Sequence, residues 1–186
     1  MVPFKLTVCG ISELGGFAKS GVSHVLSILD PGAIEPPAFF DFDPHHRLEL
    51  RFHDVIDDSQ PQYEPPQLGH IKQLLAFGER MIGEQSATHL LVHCHMGVSR
   101  SSASMMLLLA QARPDVPGLE IADQVLNIRP IAWPNSRMIT LGDALLGRKG
   151  ELVDAVYELY RKRAATSPET VQFIREAGRL AELDNI

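Results

Sequence analysis

The chain of 186 residues is 45% hydrophobic and 22% charged, and its formal net charge is −6. This size and composition are typical of one soluble globular domain. The acidic balance and the lack of Lys/Arg runs argue against nucleic acid or an anionic membrane as a partner. Cys9 and Cys94 are too few for a disulfide framework, which favours a reducing, cytoplasmic setting. The first residues lack the basic start and long apolar core of a secretory signal.

Four segments have the patterns of strands. Residues 4–9 alternate apolar and polar side chains, and residues 25–29 are mostly apolar and precede an Asp-Pro-Gly turn signal at 30–32. Residues 48–52 alternate again, with apolar side chains at every second position. Residues 89–93 form a short apolar run, which predicts a central strand.

Helical patterns lie between and after these strands. One apolar face repeats over residues 71–82, residues 101–112 are apolar almost all round, and residues 118–129 again carry one apolar face. The remaining C-terminal sequence predicts two or three further helices. The Pro-rich and acidic segments 32–46 and 57–66 are predicted to be loops.

This order of elements predicts a single α/β domain over residues 1–186. We expect a central, mostly parallel sheet of about four or five strands, flanked by helices on both faces. No linker divides the chain. Residues 151–186 are predicted to be a C-terminal helical extension that packs on the domain.

The segment from His93 to Ser101 is the most informative, because it follows a predicted strand and opens a predicted helix. There, backbone N–H groups converge beside the positive end of the helix dipole, which suits a phosphate and favours the thiolate form of Cys94. Gly97 lets the backbone approach a ligand closely, and Arg100 offers a planar fork to two phosphate oxygens. The Ser101 hydroxyl can donate to the thiolate or help it leave in a second step. The predicted phosphate-binding residues are His95, Met96, Gly97, Val98, Ser99 and Arg100.

The string His93-Cys94-x5-Arg100-Ser101 resembles the signature loop of the protein tyrosine and dual-specificity phosphatases, the Cys-x5-Arg cysteine phosphatases. The resemblance implies a phosphate-binding loop between strand and helix, and a two-step reaction without metal or cofactor. In that reaction Cys94 attacks phosphorus and water then hydrolyses the phosphocysteine. Arg100 is implied to bind the phosphate and stabilise the transition state, and His93 to orient the cysteine. Asn135 matches an asparagine that braces the phosphate loop in the family.

The resemblance extends beyond the loop. The strings VLSILDPG and RPIAWPNSRMITLGDALLG resemble a bacterial branch of the same family. In all, the similarity covers roughly residues 1–150.

A general acid is needed to protonate the leaving group, and in this family an aspartate on a mobile loop supplies the proton. Asp54, Asp57 and Asp58 are the candidates. Asp54 ends the alternating strand, where the family's aspartate usually lies, and is therefore the predicted acid. Asp57, in the Pro-rich connection that follows, is the second choice.

The predicted activity is hydrolysis of phosphotyrosine, with phosphoserine and phosphothreonine as further substrates, so the partner would be a phosphorylated protein. A phosphatase of lipid or small phosphoesters is an alternative, but the loop lacks the lysines that phosphoinositide members usually carry. A non-catalytic phosphate-binding module is another alternative, which loss of the nucleophile, the arginine or the acid would favour, and all three are present. Arsenate reduction or sulfur transfer is disfavoured, because the first needs resolving cysteines and Cys9 is a predicted core residue.

The eight histidines of the chain are potential metal ligands. His93 and His95 flank a cysteine at a strand end, and no HxxxH or CxxC spacing accompanies them. No metal and no other cofactor is therefore predicted.

Overall fold

The computed structural model describes residues 5–84, 89–184 and 186. It contains one parallel sheet of four strands, which confirms the predicted α/β class and its parallel sheet. The spatial order is β1-β4-β2-β3. Phe4, predicted to start the first strand, lies outside the described residues. The strands are β1 (Lys5–Gly10), β2 (His24–Leu29), β3 (His46–Arg51) and β4 (His89–Cys94).

Helices of two kinds surround this sheet. Pro37–Asp41 is a short 3-10 helix inside the segment 32–46 that was predicted to be a loop, and proline at its first position has the fixed φ that a helix start requires. The α-helices are α1 (Leu68–Gly83), α2 (Arg100–Ala112), α3 (Gly118–Ile128), α4 (Ser136–Leu146), α5 (Glu151–Thr166) and α6 (Pro168–Glu176), and two further 3-10 helices are Ile11–Phe17 and Leu180–Glu182.

The two faces of the sheet are covered differently. On one face, alternate strand residues such as Leu26 and Val92 share one hydrophobic core with α1 to α5. On the other face, Val25 and Leu91 pack with Leu14 and Phe39 from the 3-10 helices. The period-two pattern of the strands determines this division, because successive side chains point to opposite faces.

The helix α2 lies at the centre of the larger core. Its residues 100–110 are all buried, as expected for a helix that is apolar almost all round. It follows β4, which lies between β1 and β2 in the sheet. The turn from β4 into α2 therefore lies at the carboxyl edge of the sheet, where the chains leaving the neighbouring strands also lie.

The C-terminal residues pack on this framework. Helix α5 contacts α3 and α4, and α6 contacts α5. Ile174 in α6 and Glu182 in the last 3-10 helix are both fully buried. In the described part of the chain, none of the helices is both long and apolar enough to cross a membrane.

Candidate active site

Cys94 is the last residue of β4, and its side chain is buried at the start of α2. Its Sγ lies 3.2 Å from the hydroxyl oxygen of Ser101, one of the first residues of α2. The thiol thus lies beside the N-terminus of a buried helix, where the helix dipole favours negative charge.

The carbonyl groups of residues 95–99 all accept hydrogen bonds from donors beyond the loop. Because a trans peptide unit points its C=O and the following N–H in opposite directions, the N–H groups of residues 96–100 face the inside of the loop. Such converging amides can bind an oxyanion. The bonds are Ile11 N to His95 O at 3.0 Å, Arg129 to Met96 O at 3.1 Å and to Gly97 O at 3.0 Å, Trp133 N to Val98 O at 2.8 Å, and Ala103 N to Ser99 O at 2.9 Å.

Gly97 allows the loop to pack directly on the end of β1. Its φ is +71°, and a Cβ at this position would lie 2.4 Å from the carbonyl carbon of Cys9. A side chain would therefore push the loop away from the sheet, in addition to the strain of a left-handed backbone.

Arg129 holds the loop from outside, a contact that the sequence did not reveal. Its guanidinium donates to two loop carbonyls and also forms two hydrogen bonds, 2.9 and 2.8 Å long, with the carboxylate of Glu13. Glu13 in turn accepts from the N–H of Gly10 at 2.7 Å. Arg129 therefore links the loop to the segment that follows β1.

Arg100 is the first residue of α2, and its side chain is almost fully buried. Its Nη1 donates to Asp30 Oδ1 at 2.6 Å and to the carbonyl oxygen of Phe52. Its Nε has no partner among the described residues. The guanidinium is thus anchored by one nitrogen, and Nε remains for a ligand. Asp30 was not predicted, although it directly follows β2 and so lies at the same edge of the sheet as Cys94.

Asp54 is fixed by three neighbours. Its Oδ1 accepts hydrogen bonds from Ser99 Oγ at 2.7 Å and Asn135 Nδ2 at 2.9 Å, and it lies 3.4 Å from Arg179 Nη1. Burial opposes ionisation of this carboxyl, but the positive charges of Arg179 and Arg100 and these hydrogen bonds outweigh it and hold the pKa of Asp54 below its usual value. Asp54 is therefore a carboxylate in the resting protein near neutral pH.

The other two candidate acids are held elsewhere. Asp57 accepts hydrogen bonds from the backbone N–H and the hydroxyl of Ser59, and these lower its pKa. Asp58 forms an exposed ion pair with Arg137 at 3.1 Å. Of the three aspartates, only Asp54 lines the cavity that contains Cys94.

Asn135 serves two elements at once. Its side-chain oxygen accepts from the backbone N–H of Met138 and so caps α4, and its amide group donates to Asp54 and to the carbonyl oxygen of Val55 at 3.2 Å. Asn135 thus braces Asp54, and it is connected to the loop through Ser99, which donates to the same Oδ1.

The cavity at Cys94 has a volume of about 160 Å³. One wall comes from the C-terminal segment, which the sequence had not connected with the site. Phe173, Ile174 and Arg179 contribute this wall, and the rest of the lining is Asp54, Cys94, His95, Met96, Val98, Ser99 and Arg100.

His93 and Cys9 are both buried beneath the loop. Burial lowers the pKa of His93 to about 4, and its Nε2 lies 2.8 Å from Ser27 Oγ, so the ring is neutral and oriented by that serine. Burial raises the pKa of Cys9 to about 12, which makes this thiol a poor redox partner for Cys94.

One group of described residues could hold a metal ion, and it lies away from Cys94. Potential ligand atoms of His24, His46 and Glu84 all lie within 4.8 Å of one another. His24 and His46 are the first residues of β2 and β3, so this group lies at the opposite edge of the sheet. It does not contain the histidines of the Cys94 loop.

The comparisons with known proteins bear on the fold. No protein-family model and no curated protein matches the sequence. Human DUSP28 is 20% identical over 77% of this chain and 94% of its own, with a TM-score of 0.56. The PTP-2 phosphatase of Cydia pomonella is 18% identical over 77% and 87%, with a TM-score of 0.58. PTPMT1, solved in complex with PI(5)P, is 12% identical over 77% and 91%, with a TM-score of 0.55. This chain therefore has the α/β fold of the dual-specificity and tyrosine phosphatases.

Proposed function

We propose that this protein is a metal-independent cysteine phosphatase that hydrolyses phosphotyrosine, with phosphoserine and phosphothreonine as further substrates. The observation that carries the proposal is the outward orientation of the five carbonyl groups of residues 95–99. It turns successive amides towards the space beside Cys94 and the N-terminus of α2. A tetrahedral oxyanion fits such a set of donors, and Arg100 can bind one side of it with its free Nε.

In the first step the Cys94 thiolate attacks phosphorus, an S–P bond forms and the P–O bond to the leaving group breaks. The leaving oxygen takes its proton from the protonated form of Asp54, a form that becomes abundant only as the pH falls, because the pKa of Asp54 lies below its usual value. The loop amides and Arg100 stabilise the charge on the equatorial oxygens of the transition state.

In the second step a water molecule attacks the phosphocysteine and transfers a proton to the Asp54 carboxylate. The S–P bond breaks and inorganic phosphate is released. The Ser101 hydroxyl, 3.2 Å from Sγ, donates a hydrogen bond to the departing thiolate. The acid and the thiolate are restored, so the cycle consumes one water per phosphoester.

The rim of the cavity supports an aromatic leaving group. Met96 and Phe173 both line it, and 52% and 45% of their surfaces are exposed. A phenyl ring packs favourably on a thioether and on another aromatic ring. We also propose a cytoplasmic location, which would keep Cys94 reduced. The proposed kinship with a bacterial branch rests on residues 25–32 and 129–147, whose strings resemble that branch.

The state of Asp54 favours a second candidate, a module that binds phosphate without turnover. Its carboxyl has a lowered pKa and is held by Ser99 and Asn135, whereas a proton donor must carry a proton. Small phosphoesters and phosphoinositides form a third class of ligand, to be compared in the same assay.

Hydrolysis of p-nitrophenyl phosphate, in chelator and a thiol reductant, tests the proposal with wild type, Cys94→Ser and Cys9→Ala. We expect turnover by wild type and Cys9→Ala, none by Cys94→Ser, and a phosphoryl adduct on Cys94 in acid-quenched wild type. Phosphotyrosine, phosphoserine and phosphothreonine peptides and a phosphoinositide then rank the substrates. Tight phosphate binding without turnover of any of these esters would instead support the binding module, and a need for divalent metal would contradict the mechanism.

A further inference from the structure

We propose that Arg179 is a positioning residue of the active site, which holds Ser99 and the acid Asp54 in place from the C-terminal segment of residues 168–182. This inference rests on the proposed phosphatase activity and extends it to a part of the chain beyond the resemblance.

Arg179 reaches the loop and the acid together. Its Nη1 donates to Ser99 Oγ at 2.7 Å and lies 3.4 Å from Asp54 Oδ1, and Ser99 Oγ itself donates to the same carboxyl oxygen at 2.7 Å. Arg179 is only 3% exposed. The three side chains thus form a closed triangle in which the guanidinium fixes both the serine rotamer and the carboxylate.

The other side of Arg179 is tied to the core through Glu182. Arg179 Nη2 donates to Glu182 Oε1 at 2.7 Å, and this carboxylate is fully buried. It also accepts from Trp133 Nε1 at 2.8 Å and from the backbone N–H of Ser136 at 2.9 Å, while the Tyr160 hydroxyl, which donates to the carbonyl oxygen of Pro134, lies 3.2 Å away. A buried carboxylate with three donors is a rigid anchor, because moving it would leave its own charge, that of Arg179 and two neutral donors without partners.

Arg179 therefore affects the proton affinity of the acid as well as its position. The charged and titratable groups around Asp54 are Arg100 from α2, Arg179 with Glu182 behind it, and Cys94 and His95 of the loop, which line the same cavity. Loss of the Arg179 charge should raise the proton affinity of Asp54, because an adjacent cation stabilises the carboxylate. A residue that only filled space at this position would not have that effect.

The experiment is the pH profile of kcat/KM for an aryl phosphate with wild type, Arg179→Met, Arg179→Lys and Arg175→Met, a control in α6 whose side chain is exposed. We expect Arg179→Met to move the alkaline limb to higher pH by about one unit, the lower end of the effect of a neighbouring charge. Its kcat should fall most for esters with poor leaving groups, which depend most on the acid. Arg179→Lys, which keeps the charge but lacks the fork, should move the limb less, and Arg175→Met not at all.

An unmoved limb in folded Arg179→Met, or the same shift in Arg175→Met, would overturn the proposal. If Arg179→Met does not fold, Arg179→Lys decides. For Arg179→Lys we then expect kcat to be about tenfold lower with little change in KM, because one charged hydrogen bond is lost. Wild-type values of kcat and KM in this variant would contradict the proposed role of Arg179. Turnover by wild type separates the phosphatase proposal from the proposal on Arg179. If wild type shows no turnover, the proposed function itself fails. If it does, these variants test the role of Arg179 alone.

Discussion

Asp30 Oδ1 and Arg100 Nη1 are joined at 2.6 Å, which links the end of β2 to the start of α2 across the carboxyl edge of the sheet. Asp30 is 42% exposed on its side chain, whereas Arg100 is 3% exposed. The pair orients the guanidinium: Nη1 is occupied, and Nε has no partner among the described residues. The main effect of this ion pair is to orient Arg100, since an ion pair with an exposed partner adds little to the free energy of unfolding.

Asp30→Asn should therefore weaken substrate binding and leave the fold unchanged. We expect KM for p-nitrophenyl phosphate to rise about tenfold, because the change replaces a carboxylate acceptor of Arg100 by a weaker, neutral amide oxygen. Steady-state kinetics measure the effect. Asp43→Asn, which removes an exposed ion pair with Lys19, is the control and should behave as wild type. An unchanged KM in Asp30→Asn would show that the charge of Asp30 is not needed to orient the guanidinium.

Ser101→Ala should slow the second step more than the first. The Ser101 hydroxyl lies 3.2 Å from Sγ and can stabilise the thiolate that leaves phosphorus, a contribution of about tenfold in rate or more. In stopped flow we expect a burst of p-nitrophenolate followed by a slower steady state. Ser104→Ala is the matched control, because Ser104 is buried in the same helix and bonds only the carbonyl of Arg100. A variant without a burst, with wild-type turnover, would contradict the role.

Gly97→Ala should abolish turnover through displacement of the loop. Its φ is +71° and its Cβ would lie 2.4 Å from Cys9, whereas Gly147, with φ +67°, has open space at that position. Gly147→Ala should cost only the backbone strain, about 1 kcal/mol of unfolding free energy. Gly97→Ala should cost more and lower kcat/KM by at least about a hundredfold, as expected for a misplaced site. Equal effects of the two changes on activity would show that close packing of the loop on β1 is not needed.

Stability should fall in mildly acidic solution because of His93. Burial lowers the pKa of His93 from 6.5 to about 4. Between these two pH values His93 is therefore protonated in the unfolded chain but neutral in the folded protein. The free energy of unfolding is unaffected above pH 6.5 and decreases as the pH falls towards 4, by up to about 3 kcal/mol. His24 and His89, whose pKa values burial also lowers, add to the same slope.

Denaturant unfolding at several pH values measures this slope. His93→Gln should flatten it, although the loss of the bond to Ser27 lowers stability at every pH. His46→Gln changes a side chain that is 70% exposed and should keep the wild-type slope apart from the part due to His24, whose pKa His46 helps to lower. A slope as steep in His93→Gln as in wild type would assign the acid sensitivity to other groups.

Phe173→Ala should weaken recognition of the leaving group. Phe173 lines the cavity at Cys94 and is 45% exposed, so it can pack on an aromatic ring of the substrate. We expect KM for aryl phosphates to rise about fivefold, close to 1 kcal/mol of aromatic contact, while inhibition by inorganic phosphate stays unchanged. Leu180→Ala, at an exposed site of the same segment, is the control. Weaker inhibition by phosphate in Phe173→Ala would indicate a disturbed loop instead.

The sequence by itself determined those features of the protein whose residues lie close together along the chain. The four strands and the helices followed from period-two and period-3.6 patterns, and the strand–loop–helix at Cys94 was visible because its donors and nucleophile lie within nine residues. The boundaries differed by one to three residues, since helix and strand ends depend on local capping. The 3-10 helices Ile11–Phe17 and Pro37–Asp41 were missed, because such short elements have no period to detect.

Only the tertiary structure decided what surrounds the loop. Ser99 contacts Asp54, 45 residues away, and Arg179, 80 residues away, and Arg129 meets Glu13 across 116 residues. Such contacts leave no spacing pattern in the sequence. The packing of α4, α6 and the sheet decides which charged side chain reaches the loop. The sequence could nominate Asp54 among three aspartates, whereas its partners, and hence its lowered pKa, depend on burial beside Arg179 that appears only when the chain is folded.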